Sequence, residues 1–155
     1  MKRSLILSLG VFCLAGSAHA AVSGNWAGSV TVGDTSAGTS ELCNDVKIAI
    51  TSDNGNFQMN QDWSSCYAGY ELSVAATIDG TNLVVDGAVV GSITEDAISF
   101  DGLRTVDGDA VVSAKAQVDA TSGAISYSDT VTYEGSDLVE SDAGVLDKVL
   151  PPAAL

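Results

Sequence analysis

The chain has 155 residues, with twenty Asp and Glu against six Lys and Arg, a single His and a net charge of −14. A field of that sign repels nucleic acid and anionic membrane surfaces. A chain of this length buries one core of ordinary depth, so a single domain with no nucleic-acid partner is expected.

Residues 1–20, MKRSLILSLGVFCLAGSAHA, have a basic start (Lys2, Arg3), an apolar run from Leu5 to Leu14 and the small-x-small ending Ala18-His19-Ala20. This pattern predicts a secretory signal peptide. Phe12, not a small residue, precedes Cys13, so no lipid anchor is expected. No later stretch reaches about 18 uninterrupted apolar residues. A periplasmic or secreted protein without a membrane span follows. From Ala21 onward, four basic residues face all twenty carboxylates, a formal charge of −16, and no histidine remains.

NWAGSVTV (25–32) reads as a first strand. The next two runs, CNDVKIAITS and FQMNQDWSSC, flank SDNGN (52–56) and alternate in polarity. Period two marks strands, and Asn-Gly between them is the strongest short hairpin signal, because a type I′ turn needs positive φ at both central residues. With Asn54 and Gly55 as the loop, Ile50 falls opposite Met59, Val46 opposite Trp63 and Cys43 opposite Cys66. The two cysteines are the only pair beyond the signal, and the exported compartment is oxidising, so a disulfide is expected. Parity puts it on the polar face with Lys47 and Thr51, as an external clasp worth about 3 kcal/mol.

The remaining runs are YELSVAATI, NLVVDGAVVGSI (one long strand with a bulge at Asp86-Gly87), AISFDGLRTV, AVVSAKAQV and AISYSDTVTYE. Short turns at DGTN, TED, DGD and ATSG separate them. Short connections favour sequential pairing, so an all-β, eight-stranded antiparallel up-and-down barrel is predicted over 21–135. In 136–155, Val145, Leu146, Val149 and Leu150 fit a short amphipathic helix or a frayed tail before Pro151 and Pro152.

The inward set is expected to be Val46, Ile48, Ile50, Phe57, Met59, Trp63, Leu72, Val74, Ile78, Leu83, Val85, Ile98 and Phe100. Trp26, Phe57, Met59, Gln61, Trp63 and Phe100 are the candidates to line a ligand cavity, with Gln61 as polar handle. Further polar residues facing inward would mean a shifted register. Without histidine or free cysteine there is no Ser-His-Asp triad, imidazole base or thiolate metal site. No phosphate loop or nucleophile elbow occurs, so neither catalysis nor a cofactor is expected. SDNGN and VDGDA (106–110) lack the glutamate that closes a calcium loop and read as turns. Arg104 is expected in a surface ion pair.

SGNWAG (23–28) resembles the Gly-x-Trp of the calycins, the lipocalin and avidin-like barrels. Ser23, Gly24, Trp26, Cys43 and Cys66 together are similar to bacterial periplasmic inhibitors of secreted zinc metalloproteases. That resemblance implies a calycin-like barrel and a protease partner reached by an N-terminal arm, here only Ala21 and Val22. The residues themselves point to an exported non-catalytic binding or interaction module, its partner a small apolar ligand or a protein.

Overall fold

The computed structural model describes residues 22–66 and 69–150, so the segment expected to be a signal peptide lies outside the described residues. Ten strands follow one another: β1 (Gly24–Asp34), β2 (Thr39–Asp53), β3 (Asn56–Asp62), β4 (Glu71–Asp79), β5 (Asn82–Val85), β6 (Ala88–Ile93), β7 (Ala97–Arg104), β8 (Ala110–Val118), β9 (Ile125–Tyr133) and β10 (Val139–Lys148). Each pairs antiparallel with its neighbours in sequence, and β1 pairs with β10, which closes the barrel. The all-β meander is as expected; the strand count is ten, not eight.

Both extra strands have a local cause. Asp86 and Gly87 have φ of 52° and 81°, which makes them a two-residue turn between β5 and β6 instead of a bulge in one strand. At the C-terminal end there is no helix among the described residues. Residues 139–148 form β10, whose inward positions are Glu140, Asp142 and Leu146, while Val145 and Val149 are exposed. Acidic residues on the inward side removed the apolar alternation by which a strand is recognised.

The β2–β3 hairpin has the expected register, with Ile50 opposite Met59 and Lys47 opposite Asp62. Asn54 (φ 50°) and Gly55 (φ 77°) form its turn. Farther from the turn the parity changes. Between Gly28↔Val46 and Val30↔Cys43, β2 advances one residue more than β1, and Asp45 at φ 61° absorbs the excess. Cys43 is therefore buried instead of lying on the polar face. The Cys43–Cys66 disulfide forms, with Cα atoms 5.2 Å apart, and ties β2 to the connection after β3.

Of the thirteen residues expected inside, eleven are buried, and Ile78 and Val85 are half-buried against the same core. Gln61, Thr105, Asp129, Glu140 and Asp142 are also buried. Polar residues thus face inward although the register is correct, because β9 and β10 place carboxylates at core positions. Outward positions carry Asn56, Gln58 and Asn60 on β3, Lys115 and Gln117 on β8, and Ser126, Ser128 and Thr132 on β9. Arg104 bonds Glu134 at 2.7 Å in an exposed pair.

Candidate functional site

The buried polar residues are not scattered. β9 runs Ile125, Tyr127, Asp129, Val131, Tyr133 along its inward side, and β10 places Glu140 and Asp142 beside them. Asp142 is the direct cross-strand partner of Asp129. Tyr70, just ahead of β4, donates its hydroxyl to Glu140 Oε2 at 2.8 Å, and Tyr133 donates to the same oxygen at 2.7 Å. Deeper in, the Tyr127 hydroxyl donates to Asp129 Oδ2. On β3, Gln61 Oε1 accepts from Trp63 Nε1 at 2.8 Å. The Tyr70 ring stacks on Trp63 and meets Tyr133 edge-on.

Gln61 Nε2, Asp129 Oδ1 and both carboxyl oxygens of Asp142 are buried together, where Gln61 and Asp142 face Asp129 and the Gly33 amide faces Asp142. Among the described residues no cation compensates the carboxylates, since Lys47, Arg104, Lys115 and Lys148 are all exposed. Buried charge of this kind is costly, and the usual escape is protonation. Burial pushes Asp142 up to about 9, helped by the charges of Asp129 and Glu140. Burial raises Asp129 to about 6 against the lowering effect of hydrogen bonds from the Tyr127 hydroxyl, the Asp142 carboxyl and the Gln61 amide. Tyr70, Tyr127 and Tyr133 are raised chiefly by burial, so their hydroxyls keep their protons and act as donors.

The group reaches the surface at one end of the barrel. A cavity of about 230 Å³ opens there, lined by Val32, Asp34, Thr39, Ser40, Glu41, Cys66, Tyr70 and Glu140. The β1–β2 turn forms one side, held by Asp34 Oδ1, which accepts from Ser36 and Ala37. The disulfide anchors the other side through Cys66. A larger groove of about 670 Å³ is lined by Trp26, Lys47, Asn60, Gln61, Asp62 and Ser73, and so includes two of the candidates from the sequence.

The six candidates from the sequence are all buried. Gln61 and Trp63 belong to the polar group. Phe57 and Phe100 meet edge-to-face with ring centroids 6.0 Å apart, and Met59 shares their core. Trp26 sits at the β1–β10 seam, where Nε1 bonds Gly123 O and Lys148 Nζ lies 5.8 Å from its ring. None of the six lines the mouth. Sequence reasoning missed Tyr70, Tyr127, Asp129, Tyr133, Glu140 and Asp142. The available signal was Tyr127-Ser128-Asp129, where the aspartate shares parity with Ile125 and Val131.

No family model matches this sequence, and no characterised protein is recognisably similar to it. The fold is similar to the crystal structure of a putative outer membrane protein from Bacteroides fragilis, with a TM-score of 0.50 and 13% identity. The match covers 84% of this chain and 52% of that one, so the chain spans about half the length of its structural neighbour. At that identity the likeness is one of fold.

Proposed function

We propose that the chain is an exported, non-catalytic binding module that takes a small ligand at the acidic mouth of its barrel. One observation carries this reading: the mouth cavity is lined by Tyr70 and Glu140, the outermost members of a buried group of carboxylates and tyrosines. Carboxylates at core positions are costly, so a group of them beside a cavity is a candidate ligand site. The disulfide fits an oxidising, extracytoplasmic setting. The wall supports solubility: it carries Ser, Thr, Asn and Gln where a lipid-facing barrel would carry an apolar band with aromatic girdles, and the described aromatic rings turn inward.

The lining also redefines the ligand. A small apolar molecule matches neither Asp34, Glu41 and Glu140 at the mouth nor the packed apolar residues below. Protease inhibition through an N-terminal arm gains nothing from the geometry, because Val22, directly ahead of β1, is fully buried.

A fragment library screened by ¹H–¹⁵N NMR tests the reading. Binders should shift the amides of Val32, Gly33, Tyr70 and Glu140 together and saturably. Fragments that shift only the outer groove around Lys47 and Asn60 would overturn it.

A further inference from the structure

β1 and β2 run past the strands beside them. β3 accompanies β2 only from Lys47 to Asp53, and among the described residues no strand lies along the outer edge of β2 from Thr39 to Val46. Residues 31–42 are therefore a hairpin joined to the barrel along one edge, through Thr31↔Ala143, Val32↔Asp142, Gly33↔Ser141 and Asp34↔Glu140. Thr35 adds backbone and hydroxyl bonds to Val139 O, each 2.9 Å. None of residues 31–42 is buried; burial starts at their base with Val30 and Cys43, which pair with each other. The disulfide to Cys66 pins that base. A segment with one strand edge and few buried side chains is the kind that opens locally while the rest of the fold stays intact. Val32, Asp34, Thr39, Ser40 and Glu41 of this hairpin wall the mouth opposite Tyr70 and Glu140.

One side chain fastens the edge. Asp142, opposite Val32, accepts a hydrogen bond from the Gly33 amide and, while protonated, donates one to Asp129 on β9. A single carboxyl thus joins β9, β10 and the hairpin. The bond between two carboxyls lasts only while a proton lies between them, and without it two like charges face each other. Asp129, Tyr127 and Tyr133 on β9, Glu140 on β10 and Tyr70 ahead of β4 act on Asp142, and Gln61 on β3 bonds its partner Asp129. From β1 come the Gly33 amide and, at the rim, Asp34. The described basic side chains are all exposed, so none stands ready to replace the proton.

We propose that residues 31–42 are a flap over the mouth and that the Asp142–Asp129 carboxyl pair is its latch, shut while the two share a proton and released when alkali removes it. Burial and Asp129 hold the Asp142 proton up to about 9, so the flap is shut at neutral pH. The Gly33 amide favours the charged carboxylate, but it is the weakest influence on Asp142, behind burial, Asp129 and Glu140. Once both carboxyls are charged, swinging the flap out lets water reach them. The tyrosines keep their protons through this range, which leaves the carboxyl pair to set the response. The flap rests on the proposed ligand site only for what its opening admits.

The test records aliphatic NOEs across the strands in D₂O, without ligand, at pH 7 and pH 10. The Thr31–Ala143 and Val32–Asp142 contacts should weaken at least twofold at pH 10, while Ile50–Met59 and Met59–Val74 stay unchanged. Asp142→Asn and, separately, Asp129→Asn remove one of the two charges and should keep the flap contacts at their pH 7 strength at both pH values. Flap contacts that persist at pH 10 in the unaltered protein, that weaken equally in both Asn variants, or that fade together with those of β3 would each overturn the latch. Because no ligand is present, a fragment screen without binders leaves this result untouched, and a flap that stays shut does not bear on fragment binding at the mouth.

Discussion

Asp142 on β10 lies directly opposite Asp129 on β9, and both carboxyls are buried in a barrel whose described basic side chains are all exposed. The pair must hold protons in the folded state that it would not hold in the unfolded chain.

The stability curve should carry that signature. Both folded-state pKa values, about 6 for Asp129 and about 9 for Asp142, stand above the unfolded value near 3.9. The folded protein therefore binds more protons than the unfolded one between pH 4 and 9, and stability falls as pH rises through that window. The contribution is complete below the unfolded pKa and is lost progressively above it, up to about pH 6 for Asp129 and up to about pH 9 for Asp142. The fall from pH 5 to pH 9 should be on the order of 2–5 kcal/mol by urea denaturation, and Asp142→Asn should remove most of it. Equal stability at the two pH values, or the same slope in Asp142→Asn, would contradict this.

Tyr70 and Tyr133 share Glu140 Oε2 as acceptor, so their deletions should not add. Each Tyr→Phe change leaves one donor in place and should cost about 1–2 kcal/mol. The double variant strips the oxygen of both and should cost more than the sum, as read from a double-mutant cycle in chemical denaturation.

Reduction should loosen the mouth as well as the fold. Cys43 and Cys66 are 23 residues apart and clasp β2 to the wall of the cavity. Intact mass before and after reduction and alkylation should show no free thiol in the unreduced protein. Cys43→Ala with Cys66→Ala should lose about 3 kcal/mol of stability.

The closing seam tolerates no side chain at Gly144. A Cβ there would lie 2.7 Å from Ser29 O and 2.9 Å from Val30 Cγ2, across the β1–β10 pairing. Gly144→Val should cost about 1–3 kcal/mol through overpacking. Hydrogen exchange should be faster in β1 and β10 than in β3 and β4, whose pairing the change does not touch.

Much of the barrel was legible because period two survives wherever the inward side is apolar, as in Val46-Ile48-Ile50 and Phe57-Met59. It failed wherever inward carboxylates or a positive-φ residue interrupted that code. Asp86-Gly87 looked like a bulge because both arms are apolar, and only the positive φ at both residues separates a turn from a bulge. Asp45 flipped the parity of Cys43 by one inserted residue. Glu140 and Asp142 made β10 read as a helix or a tail, so the residues that build the candidate site are also those that concealed the strand carrying it. Gln61 stood out as the polar interruption of an apolar face. Its partners come from strands distant in sequence, and only barrel closure brings them together.

The most direct measurement is a ¹³C NMR titration of the Asp side-chain carboxyls from pH 3 to pH 10, assigned through Asp129→Asn and Asp142→Asn. One carboxyl should titrate near pH 6 and a second near pH 9, each responding to loss of the other. Both titrating near 4, at the value of free aspartate, would show that water reaches them freely and that the barrel holds no buried acidic site.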